Sequence, residues 1–239
     1  MNFSAEIKAV LFDLDGTLLP MEQDYFIKKY FKGLAEYGAS IGIDPNKLIE
    51  GTIAGTKTMI TNQGDKTNME AFWETFFKYV GEVDETLPER VDGFYLGGFK
   101  NLREYTGENP LAVEMIKQAH NKSRKVVLAT NPVFPMAAQL ERISWLGLAE
   151  SDFDLITAYE NSSFCKPNPE YYHEICRKIG VSPENCLMIG NDESDDMKGA
   201  SMAGINCFLV TDNRIMANNF MWQGERGSFE QALRLMEKL

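Results

Sequence analysis

Apolar and polar positions change texture along the chain. Near the start, Val10, Leu11, Phe12 and Leu14 form a nearly continuous apolar run, the pattern of a parallel strand buried on both faces. From about residue 21 to residue 106 the pattern turns helical and aromatic. Met69, Phe72, Trp73, Phe76, Phe77 and Val80 follow i, i+3, i+4, i+7, i+8 and i+11, and Phe26, Ile27, Tyr30, Phe31 and Leu34 repeat that amphipathic stripe. Most of these side chains are read as core, although such a stripe also suits a pocket wall. From Val126 onward, short apolar runs alternate with helical stretches: KVVLAT, FPMAAQLERISWLG, DLITAY, PEYYHEICRKIG, NCLMIG, SDDMKGASMAG and INCFLVT. Helices are expected over 170–179 and 197–203. Alternation of this kind implies right-handed βαβ units on a parallel sheet, which the strand over 8–14 joins from the far end of the sequence. The expectation is an α/β core over 1–20 and 107–239, interrupted by an all-α insertion over 21–106. Gly97-Gly98 and Thr106-Gly107 are candidate joints.

A chain of 239 residues, 44% hydrophobic, suffices for one substantial core or a core with a smaller domain. The formal net charge of -11 repels phosphate backbones and anionic membranes, so no nucleic-acid or membrane partner is expected. It does not exclude a small phosphorylated molecule, because a bound cation reverses the local potential. Cys165, Cys176, Cys186 and Cys207 have no CxxC spacing and read as reduced packing residues. The opening MNFSAEIKAV lacks the basic leader and apolar stretch of a signal peptide. No run approaches the ~18 apolar residues of a membrane span. The reading is a soluble, cytoplasmic protein. The two histidines, His120 and His173, fall in helix-like segments, which argues against histidine-centred metal or triad chemistry.

Candidate chemistry gathers at the ends of the expected strands. Asp13 and Asp15 close the first, followed by Gly16, which permits a sharp turn, and Thr17. Unpaired buried carboxylates are costly, more so than unpaired amides or hydroxyls. Paired acids here make sense if they meet a cation past the strand's carboxyl end. Thr130 and Asn131 close KVVLATN with a hydroxyl and an amide able to donate to an anion. Lys166 precedes Pro167 and Pro169, which stiffen the approach to the next helix. The strand Met188-Ile189-Gly190 runs into Asn191, Asp192, Glu193, Ser194, Asp195 and Asp196. Helix capping explains some of these acids, but so many in one turn repel one another and a metal relieves that cost.

In these features the chain resembles the haloacid dehalogenase-like superfamily. Asp13-Leu14-Asp15-Gly16-Thr17 matches its first motif residue for residue; Thr130, Lys166-Pro167-Asn168-Pro169 and the acidic turn resemble the other three, in order. Asp192 and Asp196 fit the spacing of the fourth motif, while Asn191 stands where many members carry the acid, so which side chain of the turn reaches an ion first stays open. The resemblance implies a Rossmann-like three-layer core with a parallel sheet and a helical cap inserted after the first motif.

It also implies a phosphoric monoester hydrolase: a Mg²⁺-dependent phosphatase acting on a small phosphorylated metabolite. Asp13 would be the nucleophile and Asp15 the acid and base. Thr130, Asn131 and Lys166 would bind the phosphoryl group. Asp13, Asp15 (through its carbonyl) and Asp192 would hold Mg²⁺, with Asp196 in support. A phosphomutase acting on phosphosugars, and a 2-haloacid dehalogenase, are the alternatives within the fold. Asp15 argues against the dehalogenase, whose relatives use no second acid at that position. A regulatory or binding module on an inactive copy of the fold would lack a catalytic residue, and none is missing.

Overall fold

The computed structural model describes residues 5–81 and 86–239; residues 1–4 of the stretch read for a leader lie outside the described residues. Strand β1 (Ala9–Phe12) is buried along its whole length and pairs in parallel with β2 (Lys125–Leu128) and β4 (Cys186–Gly190). Strand β2 pairs with β3 (Leu155–Ile156), and β4 with β5 (Asn206–Val210). A two-residue edge strand, β6 (Arg226–Gly227), with no apolar pattern to announce it, completes the parallel order β3-β2-β1-β4-β5-β6. Phe12 lies opposite Leu128 on one side and Ile189 on the other. Three segments therefore leave the sheet on one edge, at residues 13, 129 and 191. The chain runs from β1 out to β3 and then crosses back to β4, so the order reverses between β1 and β4, the crevice where open α/β sheets bind ligands.

Alternate strand residues feed two cores. Val10, Phe12, Leu128 and Ile189 pack with α5 (Ala112–His120), α6 (Met136–Ser144) and α9 (Phe229–Lys238). Leu11, Val127, Met188 and Leu209 pack with α7 (Pro169–Ile179) and α8 (Gly199–Met202). This is the three-layer arrangement. Helix α7 begins at Pro169, with the Asn168 side chain accepting from the Glu170 N–H. The helix expected over 197–203 begins earlier: Asp192 caps the N–H groups of Ser194 and Asp195, starting a π-helical turn at Glu193–Lys198 that runs into α8. All four cysteines are buried and free. Among the described residues no helix is long and apolar enough to cross a membrane.

Between β1 and α5 lie α1 (Gln23–Ser40), α2 (Pro45–Ile60), α3 (Asn68–Val80), α4 (Leu87–Leu96) and a 3-10 segment, Phe99–Tyr105. Asp44 caps α2 ahead of Pro45, and Thr67 with Glu70 forms a capping box on α3. Gly97 and Gly98 separate α4 from the 3-10 segment. The two crossings to the core are tied together, with Met21 bridging Thr106 and the Gly107 N–H donating to the Pro20 carbonyl at 2.7 Å. A second tie holds the start of α3: the N–H groups of Asn68 and Met69 donate to the carbonyls of Ser162 and Tyr159, both at 2.8 Å. Asn68 is fully buried and its amide also donates to the Pro132 carbonyl.

Candidate active site

Asp13 is the first residue beyond β1, fixed by its N–H donating to the Ile189 carbonyl at 3.0 Å. Three residues on, Gly16 turns the chain with φ of 86°, and a Cβ there would lie 2.3 Å from Asn191 Nδ2. Only glycine allows both the turn and that approach. Thr17 Oγ1 donates to Asn191 Oδ1 at 3.0 Å, while Asn191 Nδ2 donates to the Asn213 carbonyl at 2.7 Å. The departure from the fourth motif thus stitches the first loop to the last.

Lys166 is 2% exposed. Its Nζ donates to Asp13 Oδ1 at 2.8 Å and to Asp196 Oδ1 at 2.6 Å. Asp196 Oδ2 accepts the Asp192 N–H at 2.9 Å, so both its oxygens are engaged. Gly190 makes room for this carboxylate, since a Cβ there would meet Asp196 Oδ2 at 2.2 Å. The Lys166–Pro167 peptide is cis. Thr130 is held through its carbonyl, which accepts from Thr157 Oγ1 at 2.7 Å and from the Tyr171 hydroxyl at 2.8 Å. Asn131 Nδ2 donates to Asp195 Oδ2 at 3.3 Å, while its Oδ1 is buried without a partner.

Asp13, Asp15, Thr130, Asn131, Lys166, Asp192, Asp195 and Asp196 all line one cavity of about 130 Å³ at the reversal between β1 and β4. Five carboxylates therefore face one ammonium group. Glu193, the remaining acid of the turn, is directed elsewhere: it accepts from Arg214 at 2.6 Å and from the N–H groups of Ala217 and Trp222, holding the loop after β5.

One residue escaped the sequence reading. Arg142, fully buried on α6, donates to Asp15 Oδ2 at 2.5 Å and to Gln139 Oε1. Its guanidinium carbon stands 4.8 Å from the centre of the Phe134 ring. The signal lay in the pattern, because Ala138, Arg142 and Leu146 share a buried i, i+4, i+8 stripe and a charged residue is almost never buried there without a partner.

Burial governs the electrostatics. It pushes Asp15 above the ordinary carboxylate range, with Arg142 pulling down and Asp13 pushing up. Burial, then the Asp192 charge, raise Asp195 to about 6. Asp196 is raised by burial, and Lys166 offsets only part of this. Burial alone would lower Lys166, but Asp13 and Asp196 more than compensate and hold it well above its usual value.

The sequence model of the haloacid dehalogenase-like hydrolases matches residues 7–204, and the chain belongs to this family. It is a hydrolase of the phosphatase type, and several of the curated relatives that it matches are named phosphatases. It is 31% identical, over 94% of its own length and 92% of the other's, to a glyceraldehyde 3-phosphate phosphatase of Methanothermobacter thermautotrophicus. It is 26% identical to the pyrophosphatase PpaX of Halalkalibacterium halodurans, covering 86% of this chain and 84% of that one. Among solved structures it resembles a 2-haloacid dehalogenase from Pseudomonas syringae with a TM-score of 0.63, covering 97% and 99% of the two chains. At 17% identity that likeness concerns the fold alone.

Proposed function

We propose that the chain is a Mg²⁺-dependent phosphatase that hydrolyses a small phosphorylated metabolite through an aspartyl-phosphate on Asp13, with residues 21–106 serving as its cap and 1–20 with 107–239 as its catalytic core. The observation that carries this reading is Lys166, buried between Asp13 and Asp196 in a cavity also lined by Thr130 and Asn131. A carboxylate nucleophile needs no base, but it needs its partners to neutralise the incoming phosphoryl oxygens.

Asp13 attacks phosphorus in line as the bond to the leaving oxygen breaks. Lys166 and the Thr130 hydroxyl hold the non-bridging oxygens, and the Asn131 amide assists. Asp15 gives its proton to the leaving alkoxide. It then takes a proton from the water that attacks the intermediate, releasing inorganic phosphate and free Asp13. A raised Asp15 suits the first step, and the Arg142 guanidinium favours the ionised form required by the second.

The candidate metal donors are all oxygen: the carboxylates of Asp13 and Asp192 and the Asp15 carbonyl, with Asp196 supporting from the far side of Lys166. Among the described residues no three acidic, histidine or cysteine side chains form a ready-made cage, and Mg²⁺ takes one or two carboxylates while keeping several waters. When bound, it offsets the repulsion between a dianionic phosphoryl group and a cavity with five carboxylates. The relatives' different substrates leave the alcohol part open. Phosphate release from an aryl phosphate, measured with Mg²⁺ and with excess chelator, tests the reading. Activity confined to the Mg²⁺ arm supports it, and full turnover in chelator overturns the metal assignment.

A further inference from the structure

The cavity holding the proposed catalytic residues is not the largest near the sheet edge. A second chamber, of about 360 Å³, adjoins it and lies mainly among α1–α4. Ile27, Val133 and Phe134 line both, so the chamber is the neighbouring space open to the rest of a molecule whose phosphoryl group sits at Asp13. An apolar cavity of about 150 Å³ holds benzene; this one has room for an aromatic ring with a short arm.

Its walls have a definite chemistry. Phe31, Phe72 and Trp73 present apolar surface. The Tyr30 and Tyr95 hydroxyls bond each other at 2.8 Å, and Thr52 Oγ1 donates to the Leu48 carbonyl at 2.8 Å. In these bonds one tyrosine hydroxyl and Thr52 direct their protons into the protein. Asp92 is different. It lines the chamber, yet its Oδ1 is buried without a hydrogen-bond partner, a costly state for a carboxylate. Burial, followed by the Glu89 charge, accordingly raises its pKa.

Building on the phosphatase reading, we propose that this chamber receives the alcohol part of the substrate and that the substrate is a phosphate monoester of an aromatic alcohol carrying a cationic amine, which Asp92 binds. A polyol would lose water from each hydroxyl facing the aromatic wall without gaining a partner. An ammonium group satisfies Asp92 and is attracted to the surrounding ring faces as well. Lys57 also borders the chamber, but it is exposed at the rim, where water screens its preference for an anion.

The test compares aryl esters of similar size: 4-(2-aminoethyl)phenyl phosphate, the neutral 4-propylphenyl phosphate and 4-(carboxymethyl)phenyl phosphate, with glycerol 3-phosphate as the polyol. The expected kcat/KM order is amine, neutral, carboxylate, with the amine ahead of the neutral ester by about tenfold or more. In Asp92→Asn the amine-to-neutral ratio falls towards one. Thr56→Phe, which fills the chamber, lowers kcat/KM for all three aryl esters relative to glycerol 3-phosphate. Preference for the polyol, or an amine-to-neutral ratio unchanged by Asp92→Asn, overturns the proposal. Tryptophan fluorescence titrated with tyramine and with 4-propylphenol separates binding from turnover, since Trp73 lines the chamber. Asp92-dependent tyramine binding without hydrolysis of any ester keeps the chamber assignment and overturns the phosphatase reading. Hydrolysis without the expected order does the reverse.

Discussion

The cleft around Asp13 and the chamber above it share three wall residues but little else. The cleft takes its polar groups from the ends of β1, β2 and β4 and from the approach to α7, and five carboxylates and a lysine line a cavity of about 130 Å³. The chamber is larger and mostly apolar, and many of its side chains come one or two per helical turn from α1–α4. Chemistry common to many substrates needs charges held rigidly, and parallel strands buried on both faces supply that rigidity. Selectivity needs only a shaped wall, which helices can vary without disturbing the sheet. The difference predicts that substitutions in the cleft reduce turnover of every substrate, whereas those in the chamber reorder substrates.

The sharpest way to break that contrast is Lys166→Met. It leaves Asp13 and Asp196 facing each other without a cation in a buried site. Removing one member of such a pair costs about 3–5 kcal/mol, so urea unfolding should show a loss of that order together with turnover near background for all esters. Near-normal stability would mean that the cleft is not held by this ion pair. A smaller effect is expected for Arg142→Leu. Asp15 loses the group that orients and pairs with it, and kcat should fall by about 10²-fold on every ester alike. A loss confined to some esters would place Arg142 with the chamber. The mildest change is Thr17→Val, which leaves Asn191 Oδ1 without its donor. A stability loss of about 1–2 kcal/mol with substrate order preserved is expected, read by thermal unfolding and the ester panel.

The same contrast explains what could be read from the amino-acid order. The residues of the cleft sit in short motifs, three directly after the apolar run of a strand and the fourth, Lys166, ahead of α7, in the order that the family resemblance implies. Asp13, Thr130, Lys166 and Asp192 could therefore be placed together without coordinates. Arg142 could not: its partner is 127 positions away, and only its place on a buried stripe hinted at one. The aromatic stripes divide in a way that periodicity does not reveal. Phe26 and Phe76 are buried in the core while Ile27, Phe31 and Trp73 face the chamber, because adjacent turns of a helix meet different neighbours. In the fold, β6 and the early start of the turn at Glu193 were invisible for related reasons. The first has no hydrophobic pattern, and the second depends on which of several acids caps the turn.

The central claim is that Asp13 carries the phosphoryl group and Asp15 moves the protons. Asp13→Asn removes the nucleophile, whereas Asp15→Asn keeps the backbone carbonyl and loses only the group that activates water. An aryl phosphate with a good leaving group needs little acid assistance in the first step, so Asp15→Asn should accumulate the intermediate. Intact-mass spectrometry after acid quench of both variants with 4-nitrophenyl phosphate and Mg²⁺ measures this directly. One added phosphoryl group on Asp15→Asn and none on Asp13→Asn is the expected result; the reverse pattern, or equal labelling of both, would contradict the assignment.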